Sequence, residues 1–232
     1  MRAKAVLSRT LIFALVIAIL LAVGLGWLAT EVIEGDTMRF DLDARNTIHA
    51  HATPALTTAM IVVSVIGEAY VMFPLTVVIV AAFWHLGHKY RAALFAIAMS
   101  GALAIDVPLK LAFRRERPNA SFYYPLPRSY SFPSGHALFS VVFFGTLAAL
   151  ISPGLHAKWK KAILWAAAAF MAAVIGFSRV YLGVHYPTDV IAGYAAALVW
   201  VLAVAIGNHV RRHRAQSTPL ADVRGSITEP RP

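Results

Sequence analysis

Of the chain's 232 residues, 59% are apolar and 14% charged, and the mean hydropathy of +0.67 excludes an ordinary soluble domain, which is about half apolar and about a quarter charged. A formal charge of +10 and a pI near 10.2 would point to nucleic acid in a soluble protein, but in so apolar a chain they are read first as cytoplasmic loops facing anionic lipid. The absence of cysteine excludes a disulfide framework, a thiolate zinc site and a cysteine nucleophile.

The length accommodates about six spans of roughly 20 residues each with short connections, so the expected fold is all-α, an integral membrane bundle of six transmembrane helices. Leu11 to Thr30 follows Arg2, Lys4 and Arg9 and is too long for a signal core; it is read as a retained first span. Ala55 to Trp84 is interrupted at Gly67-Glu68 and carries Pro74, which predicts an interfacial approach helix joined to a second span. Ala92 to Phe113, Ala137 to Ile151, Ala162 to Leu182 and Val190 to Val210 are the remaining four. The whole of 1–214 reads as one membrane domain. From Arg211 the sequence turns polar, and 215–232 is expected to be a disordered tail.

Six spans place both termini on one side. Thirteen Lys and Arg then fall in the terminal segments and the even-numbered loops, and eight on the other side. The positive-inside rule puts the termini in the cytoplasm of an inner (plasma) membrane. Six of the eight exported cations lie between Lys110 and Arg179, where topology disfavours them, so they require a chemical reason.

That reason is found in three segments that converge on the exported face. The first is Lys110, six residues, then Arg117-Pro118; the second is Pro133-Ser134-Gly135-His136 at a helix start; the third is Ser178-Arg179, five residues, His185, three residues, Asp189. Lys110, Arg117 and Arg179 supply three cations, two of them with planar forks that match phosphate oxygens. Ser134 and Gly135 add a hydroxyl and backbone N–H groups with a helix dipole behind them. Asp189, four residues after His185, is placed to accept from one ring nitrogen and free the other as base or nucleophile. His136 is then suited to protonating the leaving oxygen. No carboxylate cluster points to a metal pair, so the site is expected to work without metal or other cofactor.

These three segments resemble the signature motifs of the type-2 phosphatidic acid phosphatase superfamily, which includes bacterial lipid phosphatases, glucose-6-phosphatase and vanadium haloperoxidases. Order and spacing agree at every signature position from Lys110 to Asp189. The resemblance implies a metal-independent phosphatase in which His185 forms a phosphohistidine, Asp189 orients it and His136 is the general acid. Lys110, Arg117, Ser134, Gly135 and Arg179 would hold the phosphoryl oxygens. The implied partners are a lipid phosphate substrate and the bilayer, not nucleic acid. Undecaprenyl diphosphate ranks first among substrates, ahead of phosphatidylglycerophosphate or phosphatidate; a haloperoxidase and an anionic-lipid transporter are the readings from other classes.

Several residues have plainer readings. Asp106, one turn before Lys110, is expected to pair with it inside the membrane. Glu68 is either a functional acid or an interfacial one. Arg114, Arg115 and Arg128 are read first as solvated loop charges, and Phe122, Tyr123, Tyr124, Tyr130 and Phe132 as an interfacial aromatic belt. The other histidines lack metal-ligand spacing.

Overall fold

The structure, a computed structural model, describes residues 9–119 and 124–217, with side chains through 213. The helices are α1 (Arg9–Glu34), α2 (Met38–Ala50), α3 (Pro54–Ile66), α4 (Ala69–His85), α5 (Lys89–Phe113), α6 (Gly135–Ile151), α7 (Lys158–Tyr181) and α8 (Pro187–Ser217). Five of these are long and apolar enough to cross a bilayer, and the α3–α4 pair, bent by 48° at Gly67-Glu68, brings the number to six if it is counted as one span. The expected all-α membrane bundle is therefore the observed one, with the second span broken where the sequence predicts. Large apolar side chains such as Phe13, Leu20, Val23 and Phe73 lie on the outside, as a hydrocarbon solvent permits.

The bundle's core lies on α6, which packs between α5, α7 and α8. Phe95, Ala98, Leu138, Val142 and Ile175 are buried there, with Phe95 and Phe143 edge to face at 5.4 Å. Trp200 of α8 donates its indole N–H to the Ala98 carbonyl of α5 at 2.8 Å and lies over Gly101, where an added Cβ would sit 2.0 Å from the ring. Such contacts bring helix backbones close without a hydrophobic driving force in lipid.

Several helix ends differ from the expected spans, two of them with consequences for the fold. The polar segment after the first span is not an open loop: α1 runs on to Glu34, and α2 packs on α7 and α8. The last helix continues to Ser217, past the expected end at Val210. Tyr90 explains the extension, since its hydroxyl donates to Asn208 and accepts from Arg211 Nε at 3.2 Å while the Arg211 guanidinium lies 3.9 Å from its ring. The rest of the tail lies outside the described residues.

Candidate active site

Alternation of the spans brings the C-terminal ends of α5 and α7 and the N-terminal ends of α6 and α8 to one end of the bundle, and the three motifs meet there. The loop after α7 carries His185, and Pro187 starts α8 with its fixed φ. Asp189, in the first turn, has no exposed surface and accepts from the Tyr186 N–H at 2.9 Å, from Ser131 Oγ and from Arg115 Nη1 at 2.6 Å. Its Oδ2 lies 3.3 Å from His185 Nδ1. This arrangement fixes the proton on Nδ1 and leaves the Nε2 lone pair pointing away from the carboxylate.

Nε2 faces Arg117 Nη1 at 3.0 Å. Arg117 is itself fixed by the carbonyls of Ser129 at 2.7 Å and Val184 at 2.8 Å, so the cation is aimed by the loop rather than by a single partner. Burial, with Arg179 nearby, lowers Arg117 to about 10, still a cation at neutral pH. Burial likewise lowers His185 to about 3, with the Asp189 hydrogen bond opposing it and Arg117 reinforcing it. At neutral pH the ring is unprotonated at Nε2.

The second motif is placed by helix packing. The Ser134 N–H donates to the Asp189 carbonyl at 2.9 Å, which ties the start of α6 to the start of α8. Gly193 permits this approach, because a Cβ there would lie 2.5 Å from the Ser134 carbonyl oxygen. Lys110 donates to the Pro133 carbonyl and pairs with Asp106 at 3.0 Å, as the one-turn spacing predicts. Ser134 Oγ is buried without a hydrogen-bond partner among the described residues.

On the opposite wall, Arg179 is fully buried; its Nη1 donates to Ser64 Oγ and lies 3.5 Å from Glu68 Oε1, while Nε and Nη2 have no partner among the described residues. His136 Nε2 lies 3.3 Å from the same Glu68 oxygen, which also accepts from Tyr124 at 2.8 Å. Glu68 sits at the α3–α4 break, and Gly67 beside it lies so close to α6 and α7 that a Cβ would be 2.7 Å from both His136 and Ile175. The helix break therefore sets Glu68 against His136 and Arg179, two of the expected site residues.

All eight motif residues are thus gathered at one end of the bundle, in two linked clusters. Lys110, Arg117, Ser134, His185 and Asp189 form one; His136, Arg179 and Glu68 form the other, with Gly135 between, 3.1 Å from Asp106 Oδ1 if given a Cβ. Among the described residues no group of three or more His, Asp or Glu is placed to hold a metal ion.

A family model described as the PAP2 superfamily matches residues 89–212, which include all eight motif residues. The chain belongs to the PAP2 superfamily. It is similar to phosphatidylglycerophosphatase B of Bacillus subtilis, 29% identical over 166 residues that cover 69% of this chain and 80% of that one. It is also similar to undecaprenyl-diphosphatase of Sulfolobus acidocaldarius, 30% identical over 162 residues, covering 67% and 72%. Among solved structures, the transmembrane PAP2-type phosphatidylglycerolphosphate phosphatase from Bacillus subtilis superposes with a TM-score of 0.78 at 24% identity over 83% of this chain and 96% of that one, a likeness of fold. This PAP2 chain is a multi-pass membrane protein, and its enzyme class is lipid phosphate hydrolysis.

Two sequence expectations need correction, and the polar segment after the first span contributes a buried residue beside the site. Arg115 is not a solvated loop charge: its side chain is 8% exposed and bridges Asp41 at 2.7 Å and Asp189 at 2.6 Å. Arg114 and Arg128 are exposed, as expected. Phe132 does not belong to an aromatic belt; it is fully buried against Phe113, ring centroids 5.0 Å apart, and Tyr124 faces Glu68 and Arg179. Phe122 and Tyr123 lie outside the described residues. Asp41, one of five acidic residues from Glu31 to Asp43, is wholly buried against Arg115 and Thr188.

Proposed function

We propose that this PAP2 enzyme removes a phosphate from a lipid phosphate or diphosphate through a phosphohistidine on His185, with undecaprenyl diphosphate as the first-ranked substrate. The observation that carries the reading is the buried His185–Asp189 pair, whose free ring nitrogen faces Arg117.

In the first step the Nε2 lone pair attacks the terminal phosphorus, a P–N bond forms, and the P–O bond to the leaving oxygen breaks, releasing the lipid alcohol of a monophosphate or the lipid monophosphate of a diphosphate. Asp189 stabilises the positive ring that results. His136 donates a proton to the departing oxygen and then takes one from the water that attacks the phosphohistidine, which breaks the P–N bond and releases inorganic phosphate. Lys110, Arg117 and Arg179, with Ser134 and the Gly135 N–H, hold the non-bridging oxygens as negative charge builds on them. The buried Arg179 Nε and Nη2 and Ser134 Oγ, unpartnered among the described residues, are donors of the kind such oxygens satisfy. With three cations in place, charge stabilisation comes from side chains, and turnover is expected to survive EDTA.

The distribution of Lys and Arg supports a site on the extracytoplasmic face, with both termini in the cytoplasm. There it lies at headgroup depth of the outer leaflet. Phosphatidylglycerophosphate is the second reading, favoured by the Bacillus relative and its fold. The test is phosphate release by the purified, detergent-solubilised protein in EDTA from undecaprenyl diphosphate, phosphatidylglycerophosphate and phosphatidate, each with His185→Ala as control. Preference for the first substrate supports the reading. Preference for a glycerolipid moves it to the second, and anionic-lipid transport retained by His185→Ala would replace it with a carrier.

A further inference from the structure

Asp189 is held by more than its histidine. Arg115 donates through Nη1 to Asp189 Oδ1 at 2.6 Å and through Nη2 to Asp41 Oδ2 at 2.7 Å, and Nη1 also reaches Thr188 Oγ1 at 2.9 Å. Asp41 in turn accepts from the Thr188 N–H at 3.0 Å and its hydroxyl at 2.7 Å. Asp41 and Asp189 have no exposed surface, and Tyr186 covers the guanidinium with its ring at 4.2 Å. Asp41 comes from α2 and Asp189 from α8, 148 positions apart. One buried cation therefore serves two buried carboxylates.

The charge count gives this arrangement a function. Were Arg115 paired with Asp189 alone, the cation would cancel the carboxylate next to His185, and the ring would lose the negative neighbour that stabilises it once it bears a phosphoryl group. A second carboxylate on the same guanidinium leaves Asp41, Arg115 and Asp189 with one net negative charge among the three, with the buried Arg45 of α2 acting on Tyr186 at their edge. Low local dielectric makes the difference felt at the ring. Burial by itself would lower Arg115, but Asp189 and Asp41 more than reverse it, so the bridge stays charged.

We propose that Asp41 and Arg115 are positioning residues for the reaction, with Asp41 sharing the Arg115 guanidinium so that Asp189 is both fixed in place and left negative toward His185. The proposal rests on His185 acting as the nucleophile. It makes α2, which contributes no motif residue, part of the catalytic apparatus.

The charged groups facing the His185–Asp189 pair are Arg117 from the loop after α5, Arg179 from α7 and Lys110 from α5, besides Arg115; Ser131 and Tyr186 are the neutral partners. Of these only Arg115 is bridged to a second carboxylate among the described residues. Asp41→Asn keeps the size of the side chain and one acceptor oxygen for the Thr188 N–H while removing the charge and the oxygen that accepts from Arg115, so it tests the second carboxylate as a whole.

Two measurements on the detergent-solubilised full chain decide the matter. Steady-state kinetics on the preferred lipid phosphate are expected to show kcat about tenfold lower in Asp41→Asn with KM within about twofold of the parent. Arg115→Ala is expected to lose about 100-fold or more, with Arg115→Lys recovering part of it, and every kcat is taken per folded protein, because breaking a buried ion pair also lowers thermal stability. Nitrogen-15 NMR of labelled histidine, assigned with His185→Gln, needs no substrate: Asp41→Asn is expected to move the His185 Nδ1–H resonance upfield, because Arg115 then draws Asp189 away. If the parent protein hydrolyses no lipid phosphate, the proposed function fails and the NMR shift alone tests the bridge. Wild-type kcat together with an unmoved Nδ1–H resonance in Asp41→Asn, or a kcat loss that merely follows loss of folded protein, overturns the proposal.

Discussion

His185 and His136 stand at the same end of the bundle, but they are held in different ways. His185 is 2% exposed, and its carboxylate partner is anchored by three further donors from two inter-helix connections. His136 meets Glu68 at 3.3 Å across a helix break, with side chains 13% and 22% exposed, and that oxygen is shared with Tyr124 and Arg179. The contrast follows the demands of the proposed reaction. A group that forms a covalent bond to phosphorus gains from a fixed ring and a dry, unprotonated nitrogen. A group that passes a proton to the leaving oxygen and takes one back from water gains from partial access to solvent.

The contrast can be broken from either side. His185→Ala removes the nucleophile and is expected to lower kcat by about 10⁴-fold or more on every lipid phosphate; steady-state phosphate release measures it. His136→Ala is expected to cost about 10²- to 10⁴-fold with a lipid alkoxide leaving group but far less with a nitrophenyl phosphate, whose leaving oxygen needs no proton. Equal losses on the two substrates would deny His136 the acid role. Glu68→Gln, which keeps a hydrogen-bond acceptor and removes the charge, is expected to cost about tenfold in kcat and leave phosphohistidine formation from the nitrophenyl substrate intact. A loss as large as that of His136→Ala would make the carboxylate itself a proton carrier.

The smallest effect concerns pH. The folded protein holds His185 down at about 3, against about 6.5 in the unfolded chain. Between those values only the unfolded chain takes up the proton. Stability from this ring is therefore complete above about pH 6.5 and declines as the pH falls toward 3. Thermal unfolding in detergent at pH 7.5 and 5.5 should show a drop of a few degrees, and His185→Gln should flatten part of it.

How much of this was legible in the sequence depended on whether a contact is local. Asp106 and Lys110 are four residues apart on one helix, so helix geometry alone puts them on one face, and His185 stands two residues before the helix whose first turn carries Asp189. The three motifs carried the rest of the constellation, because up-and-down spans of known length fix which loops share an end. Asp41 and Arg115 left no such trace. Their contacts run over 74 and 147 positions, through an amphipathic helix that reads in sequence as a polar loop. Phe132 was misread for a related reason: a motif of aromatic residues beside proline looks interfacial, whereas burial against Phe113 is decided by packing between α5 and the loop. Gly67 and Gly193 are ordinary glycines in an apolar chain until the structure shows what a Cβ there would strike.

The nucleophile is the central claim, and it can be tested directly. The purified protein should be quenched during turnover of a ³²P-labelled lipid phosphate in EDTA and the protein-bound label assayed for stability. The account predicts label that survives base, is lost in acid, and is absent from His185→Ala. Label retained at parental level in His185→Ala, or label stable in acid, would contradict it.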